Sequence, residues 1–263
     1  MPHFPQLSTG ALAQFPITKR ITTRTIRHEV PGGYTVSISD PSAAMIEWDL
    51  NLSDLLPEEH SGLLALFENV EGRLFPFTFL DPLANLLLWS EDLSNVAWSK
   101  DPLIHTSAGI SDPKGSMNAA RLANAGAALQ RIKQTTSVPA SYRYSLSVWL
   151  RSDVNTTASL FSESQGDSSI SNHAVTPAWE RFSLSFKLNS SSENLTVGLG
   201  LPSGHSVDVF GFQLDAQPAP AEYRKSTSKS GVYSSARFRD DRLESVATGR
   251  FRYAVKLAIV SPA

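Results

Sequence analysis

The sequence contains no cysteine. Disulfides, thiolate metal sites and cysteine nucleophiles are thereby excluded together, and the lack is compatible with assembly in a reducing cytoplasm. A dominant charge sign is missing as well. Lys and Arg number 23 against 25 Asp and Glu, a formal net charge of −2, with an isoelectric point near 6.3. Nucleic-acid binding wants a basic face, and none is offered. Long apolar runs are also lacking. The stretch at 86–89 is among the longest, against the ~20 residues of a membrane helix, so membrane insertion is not expected. The opening MPHFPQLSTGALAQF has no basic segment followed by an apolar core, so a standard secretion signal is not expected either. A protein of this kind acting outside a cell would leave by lysis.

Catalytic patterns are equally scarce. The six histidines, His3, His28, His60, His105, His173 and His205, are scattered. No H-E-x-x-H or paired spacing joins them, so no zinc site is expected. No G-x-S-x-G nucleophile elbow occurs. GLGLPSG at 198–204 lacks both the phosphate-loop lysine and dinucleotide spacing, and reads as a turn between two strands. Asp240 and Asp241 stand beside Arg239 and Arg242, a pattern of solvated charge or a subunit contact rather than a carboxylate dyad. The chain is not expected to be an enzyme.

Strand patterns dominate what is present. Residues 34–38 alternate after the turn signal Pro31-Gly32-Gly33. Ile46, Trp48, Leu50 and Leu52 alternate with polar residues, the mark of a half-buried strand. Pro57-Glu58-Glu59 opens a helix over about 57–71, since proline and acids suit a first turn. Leu63, Leu66, Phe67 and Val70 form its apolar stripe, and Gly72 ends it. Phe75, Phe77 and Phe79 alternate next. From about 86 the chain is rich in Ser, Asn and Thr, with alternating runs at 144–150 and 182–188 and polar loops at 162–172 and 189–194. Several even strands with turn signals indicate a sandwich or jelly roll. ARFRDDRL at 236–243 and the alternation over 251–259 return to the first style. The fold expected is mostly all-β: a discontinuous β-rich domain of residues 1–82 and 224–263, with a β-sandwich or jelly roll of residues 83–223 inserted in a loop. Such insertion is thermodynamically mild because closure entropy grows slowly with loop length.

Two resemblances attach to these segments. Arg24, Arg27, Gly33-Tyr34, Trp48, Phe67, Gly72-Arg73 and the aromatic run to Asp81-Pro82 resemble the distal-tail and minor-tail proteins at the tip of non-contractile phage tails. Val232-Tyr233, Arg237-Phe238, Asp241 and Leu243 resemble that family's closing strands. The insert resembles the carbohydrate-binding-module-like jelly rolls of phage tail and surface proteins. NLLLWSEDLSNVAWSK at 85–100 matches their opening, Asp112-Pro113, Gly115, Ala119 and Leu122 an internal block, YSLSVWL at 144–150 a central strand, and FGFQLDAQPAPAEY at 210–223 the close. Leu93 replaces the usual aromatic, and Asp215 the usual glutamate.

The resemblances imply a virion tail-tip structural protein made in the host cytoplasm. It would form a homo-oligomer, commonly a sixfold ring, against the tail tube protein and the tail-tip hub proteins. Arg20, Arg24, Arg27, Asp240 and Asp241 are candidate interface charges, and the 251–259 strand and the edge strands of the first half are candidates for pairing between subunits. The jelly roll would face host cell-surface glycans. A pyranose needs an exposed aromatic platform ringed by polar groups, and Trp89, Tyr142 and Trp149 are the platforms selected. Trp98 and Trp179 are expected in the core. No cofactor is expected apart from a candidate structural calcium, which the resemblance places at Glu91 or Asp92 and Asp215, hard oxygen donors from the first and last strands. The alternative is a free bacterial carbohydrate-binding protein. A glycan-degrading enzyme would need a carboxylate pair across a cleft, roughly 5–10 Å apart, and no segment leaves room for one.

Overall fold

The structure, a computed structural model, describes residues 1–189 and 192–263. The loop read at 189–194 therefore lies partly outside the described residues. In chain order the elements are β1 (Thr18–Val30), β2 (Tyr34–Leu55), α1 (Pro57–Asn69), β3 (Phe77–Leu80), β4 (Ser99–Lys100), β5 (Ile104–Ile110), β6 (Ala119–Asn124), β7 (Gln130–Ser137), β8 (Arg143–Arg151), β9 (Thr156–Ser164), β10 (Asp167–Val175), β11 (Glu180–Lys187), β12 (Asn194–Leu201), β13 (Ser206–Asp215), β14 (Val232–Phe238), β15 (Glu244–Gly249) and β16 (Arg252–Pro262). The protein is mostly β, in antiparallel sheets. Among the described residues no helix is long and apolar enough to cross a membrane.

The chain divides into two compact units, Met1–Phe79 with Tyr233–Ala263, and Leu80–Val232. The sequence reading puts the return at 223/224. Residues 224–232 instead stay with the second unit, because their backbone is tied to its opening segment. Ser226 N–H donates to Ser90 Oγ at 2.9 Å, Trp89 N–H to the Thr227 carbonyl at 3.0 Å and Gly231 N–H to the Asn85 carbonyl at 2.7 Å.

The first unit holds one sheet in the order β1-β2-β16-β14-β3, with β15 paired to β16. Trp48, Leu50, Leu52 and Leu55 of β2 meet Phe77, Phe79, Phe238, Val255 and Ile259 in its core. The helix lays Leu63 and Leu66 on the same cluster, joined by Val70 at its C-terminal end. Phe251 is not part of the last strand. It is 60 % exposed with φ of 59°, in the turn that precedes β16. Nor is β16 free to pair with another subunit, since it lies between β2 and β14.

Helix α1 starts without a capping side chain at Leu56. Glu59 supplies the missing acceptor: Leu56 N–H donates to its Oε2 at 2.7 Å, and Ser8 N–H and Oγ donate to its Oε1 at 2.8 Å. Burial pushes the Glu59 carboxyl up, but these hydrogen bonds outweigh it and hold the group below its ordinary value. A depressed folded-state value stabilises above the unfolded glutamate range and is lost as pH falls through the folded value. Glu59→Gln is thus expected to cost about 1 kcal/mol at neutral pH, the size of a capping interaction. Urea midpoints of parent and variant should differ at pH 7 and converge as pH falls from the ordinary glutamate range through the lowered folded-state value.

The second unit is a β-sandwich of two five-stranded sheets, β10-β9-β12-β7-β4 and β11-β8-β13-β6-β5. Leu146, Val148 and Leu150 of β8 and Leu195, Val197 and Leu199 of β12 are fully buried. Residues 162–172, read as a loop, are mostly strand. β10 pairs with β9 from Asp167↔Ser164 to Val175↔Thr156. It is an edge strand of half-exposed polar residues, with Ile170 56 % exposed, so it carries no apolar alternation to betray it.

Candidate functional site

The three aromatic side chains selected as platforms fare differently. Tyr142 is 6 % exposed and stacks on Tyr144 with ring centroids 6.3 Å apart, so it belongs to the core rather than to a ligand face. Trp149 is occupied internally. The Arg181 guanidinium lies over its ring at 4.4 Å, Tyr223 meets it edge-on at 5.4 Å, and Phe210 at 5.8 Å. The segment that follows β13 is pinned there by Gln213, whose Oε1 accepts from Arg224 N–H at 2.7 Å. Arg181 donates to the Ala221 carbonyl at 2.7 Å and to Ser147 Oγ at 2.9 Å. Burial pushes the Arg181 guanidinium down, against the opposing pull of Asp215 and Tyr223.

Trp89 is the exception. Of the five tryptophans, Trp48 packs on Phe79 and Tyr233, Trp98 on Phe212, and the half-buried Trp179 lies under Arg151. Among the described residues the Trp89 indole takes part in no ring stack, and its Nε1 donates no hydrogen bond. Its backbone sits at φ of 50°, a left-handed conformation that bulky residues rarely adopt. Three hydrogen bonds hold it there: its N–H to Thr227, and its carbonyl accepting from Asp92 N–H at 3.2 Å and Trp98 Nε1 at 3.0 Å.

The half-buried Trp89 lines a cavity of about 320 Å³ with Glu91, Asp92, Met117, Asn118, Lys225 and Ser226, among others. Glu91 accepts from Tyr223 Oη at 3.0 Å and from Lys225 Nζ at 2.5 Å. Burial pushes the Tyr223 phenol well up, so it stays a donor. Asp92 accepts from Ser94 Oγ at 2.5 Å and Ser94 N–H at 3.1 Å. Among the described residues the buried Ser226 hydroxyl has no hydrogen-bond partner. Sequence reasoning missed Met117 and Asn118, which stand at unmarked positions inside the block from Asp112 to Leu122, and Lys225, which follows the closing block.

The calcium expectation joined Glu91, Asp92 and Asp215. In the structure each is engaged separately. Asp215 is 4 % exposed, accepting from Gln213 Nε2 at 2.9 Å and Ala221 N–H at 3.1 Å. Burial pushes its carboxyl up despite these bonds, which opposes the charged form a hard cation needs. Among the described residues no three His, Cys, Asp or Glu side chains converge.

The first unit carries a second feature, an arm made by β1 and β2. Their register jumps between Thr22 and Arg24, and beyond it Arg24 to Val30 pair only with Tyr34 to Asp40. The pairing of β16 with β2 ends at Met45. Cross-strand partners share a face. Ile26↔Ile38, His28↔Val36 and Val30↔Tyr34 make one face mostly apolar, with His28 in it and the Arg24↔Asp40 pair at its base, while Thr25↔Ser39, Arg27↔Ser37 and Glu29↔Thr35 make the other polar. The apolar face is open: Tyr34 is 75 %, Ile38 51 % and Val36 45 % exposed.

Four of the five expected interface charges are paired within the chain. Arg20 contacts Glu47 and Asp49, Arg24 meets Asp40 at 3.7 Å, Asp240 meets Arg239 at 3.0 Å, and Asp241 meets Arg73 at 2.9 Å. Arg27 lies on the polar face of the arm, and among the described residues it makes no ion pair. Exposed pairs of this kind contribute roughly 0–1 kcal/mol each.

No protein-family model matches the sequence, and no curated protein matches it. Several solved structures match part of the chain. The enzymatically active domain of bacteriophage CBA120 tailspike protein 4 is 14 % identical over 52 % of this chain and 22 % of that one, with a TM-score of 0.41. The TmCBM61 module in complex with β-1,4-galactotriose is 12 % identical over 49 % and 97 %, with a TM-score of 0.39. The CBM22-1 xylan-binding domain from Paenibacillus barcinonensis Xyn10C is 10 % identical over 56 % and 98 %, with a TM-score of 0.42. At such scores these matches decide nothing about ligand or partner.

Proposed function

We propose that the chain is a structural protein of a phage tail tip, that copies join through the β1–β2 arm into a closed ring, and that the sandwich unit is displayed towards host surface glycans. The observation that carries this reading is the arm. A two-stranded ribbon is marginal in water on its own, and this one keeps Ile38, Val36 and Tyr34 open on one face. An exposed apolar patch of that kind marks an interaction surface. The occupant proposed is a second copy of the same chain. A head-to-tail contact that closes gives every subunit two such interfaces, so a modest patch supports a stable ring. The resemblance to distal-tail and minor-tail proteins supports the sixfold stoichiometry, the tail tube and hub neighbours and the virion location.

Ring assembly would also turn the sandwich into a multivalent array. One site of millimolar affinity gains several orders of magnitude when copies engage one surface together. Light scattering on the purified chain checks the assembly. The expected mass is a multiple of 28.6 kDa in one closed species. A single-chain mass at all concentrations, with no uptake onto tail particles, would sink the reading. The second reading is a free carbohydrate-binding protein, favoured by the Trp89 cavity, whose lining comes entirely from one unit of one chain.

A further inference from the structure

We propose that the cavity around Trp89 is the sugar site of the sandwich unit and that it takes one neutral hexopyranose ring. The proposal rests on reading that unit as a glycan-displaying one. It starts from the tryptophan census. The other four indoles are spent on packing, while Trp89 is half-buried, unstacked and set in a cavity. An indole face left open beside polar groups suits the C–H face of a sugar ring. The exposed Met117 adds a polarizable apolar wall.

The polar lining fits hydroxyls. Each sugar hydroxyl is both donor and acceptor, so it needs partners of both kinds. Glu91 and Asp92 accept, Lys225 donates, and the Asn118 amide does both. The Ser226 residue is 7 % exposed, and its hydroxyl is a buried polar group in the same wall without a hydrogen-bond partner among the described residues. A group of that kind is ordinarily paired by a ligand or water.

Size and charge narrow the class. A cavity of about 320 Å³ lies at the small end of ligand pockets, with room for one pyranose inside it. Glu91 and Asp92 against Lys225 leave one net negative charge, which disfavours uronic and sialic acids. The site is also partly preorganised, because three hydrogen bonds fix the Trp89 backbone from which the indole projects.

The test uses the full chain and four probes: the methyl glycosides of glucose, galactose, N-acetylglucosamine and glucuronic acid. Ligand-observed saturation-transfer NMR reads binding, and tryptophan fluorescence reads Trp89. The expected result is millimolar binding of at least one neutral glycoside. Trp89→Ala should weaken it by about tenfold or more, the scale of a lost aromatic contact. Asn118→Ala, at an exposed position, should weaken it about threefold to tenfold, and covers the case in which Trp89→Ala fails to fold. Preference for the glucuronide would overturn the neutral class. Neutral binding that both folded variants leave unchanged would overturn the site while sparing the glycan reading. Silence from all four probes would overturn the site, and a parallel titration with host surface polysaccharide then decides whether glycan display falls with it. Solution mass tests the ring independently of any of these outcomes.

Discussion

Aspartate at Val36 and Ile38 together is expected to leave a folded protein with the solution mass of a single chain. Both residues lie on the apolar face of the arm, opposite His28 and Ile26, at 45 % and 51 % exposure. Neither belongs to the core of the first unit, so the variant should melt close to the parent, as surface substitutions do. Its effect falls on assembly. Burying a Val and an Ile side chain contributes about 1.5–3 kcal/mol each, and aspartate replaces that gain with a desolvation penalty. A loss of roughly 4 kcal/mol per contact lowers each pairwise constant about a thousandfold. In a closed ring every subunit loses both contacts. The control is Thr35→Asp with Ser37→Asp on the polar face, which should keep the assembled mass. If the apolar-face variant also keeps it, copies do not meet through this surface. If the polar-face control dissolves the assembly as well, the arm is gripped from both sides and the one-faced account is wrong.

The arm shows how far a sequence can be read and where reading stops. Alternation at 34–38 and at 46–52 is plain, because one side of each run is apolar. That both runs form a single strand, Tyr34–Leu55, is not. Pro41 and the small residues after it lie where the β1–β2 register jumps, and a register jump leaves no periodic signature. Trp48 was legible as core because its neighbours at two-residue steps are apolar. β10 was not, because an edge strand of serine and asparagine looks like a loop to any hydrophobicity argument. The boundary at 232 was hidden for a different reason. Residues 224–231 have loop composition, and backbone hydrogen bonds to residues 85–90 hold them in the second unit. The candidate site divides in the same way. Trp89, Tyr142 and Trp149 are alike in sequence as aromatic residues of the matching blocks or beside them. What separates them is packing: Tyr142 is buried beside Tyr144 two residues along, Tyr223 and Arg181 close on Trp149 from distant segments, and among the described residues no ring or guanidinium stacks on Trp89. Between Trp89 and Trp149 long-range packing decides which side chain is left open, and local sequence carries no record of it.

Gly198→Ala is expected to be the most damaging single methyl addition in the sandwich unit. GLGLPSG at 198–204 has the composition of a turn, yet Gly198 and Gly200 lie within β12, paired with β7 on one side and β9 on the other. A Cβ on Gly198 would stand 2.1 Å from the Ile132 carbonyl oxygen and 2.9 Å from Lys133 Cα. Both obstacles are backbone of β7, so no rotamer change relieves them. β12 cannot retreat, because the ladder to β9 holds its other edge. Overpacking that side chains can absorb costs about 1–3 kcal/mol; with backbone in the way, about 3 kcal/mol or more is expected. For a unit of this size that corresponds to a fall of roughly 6–12 °C in Tm. Gly200 provides the comparison. A Cβ there meets Ser159 Oγ at 2.6 Å, a hydroxyl that can rotate away, so Gly200→Ala should lose about 1–2 kcal/mol, for the Ser159 hydrogen bond to the Gly200 carbonyl and modest crowding. Calorimetry of the two variants separates the cases. Equal losses would mean that β12 slides along β7 at little cost, and the close approach of the two backbones at Gly198 would not be what fixes the sheet. A much larger loss at Gly198 would identify this glycine as a packing requirement of the central strands, a role that a turn glycine at the same place could not have.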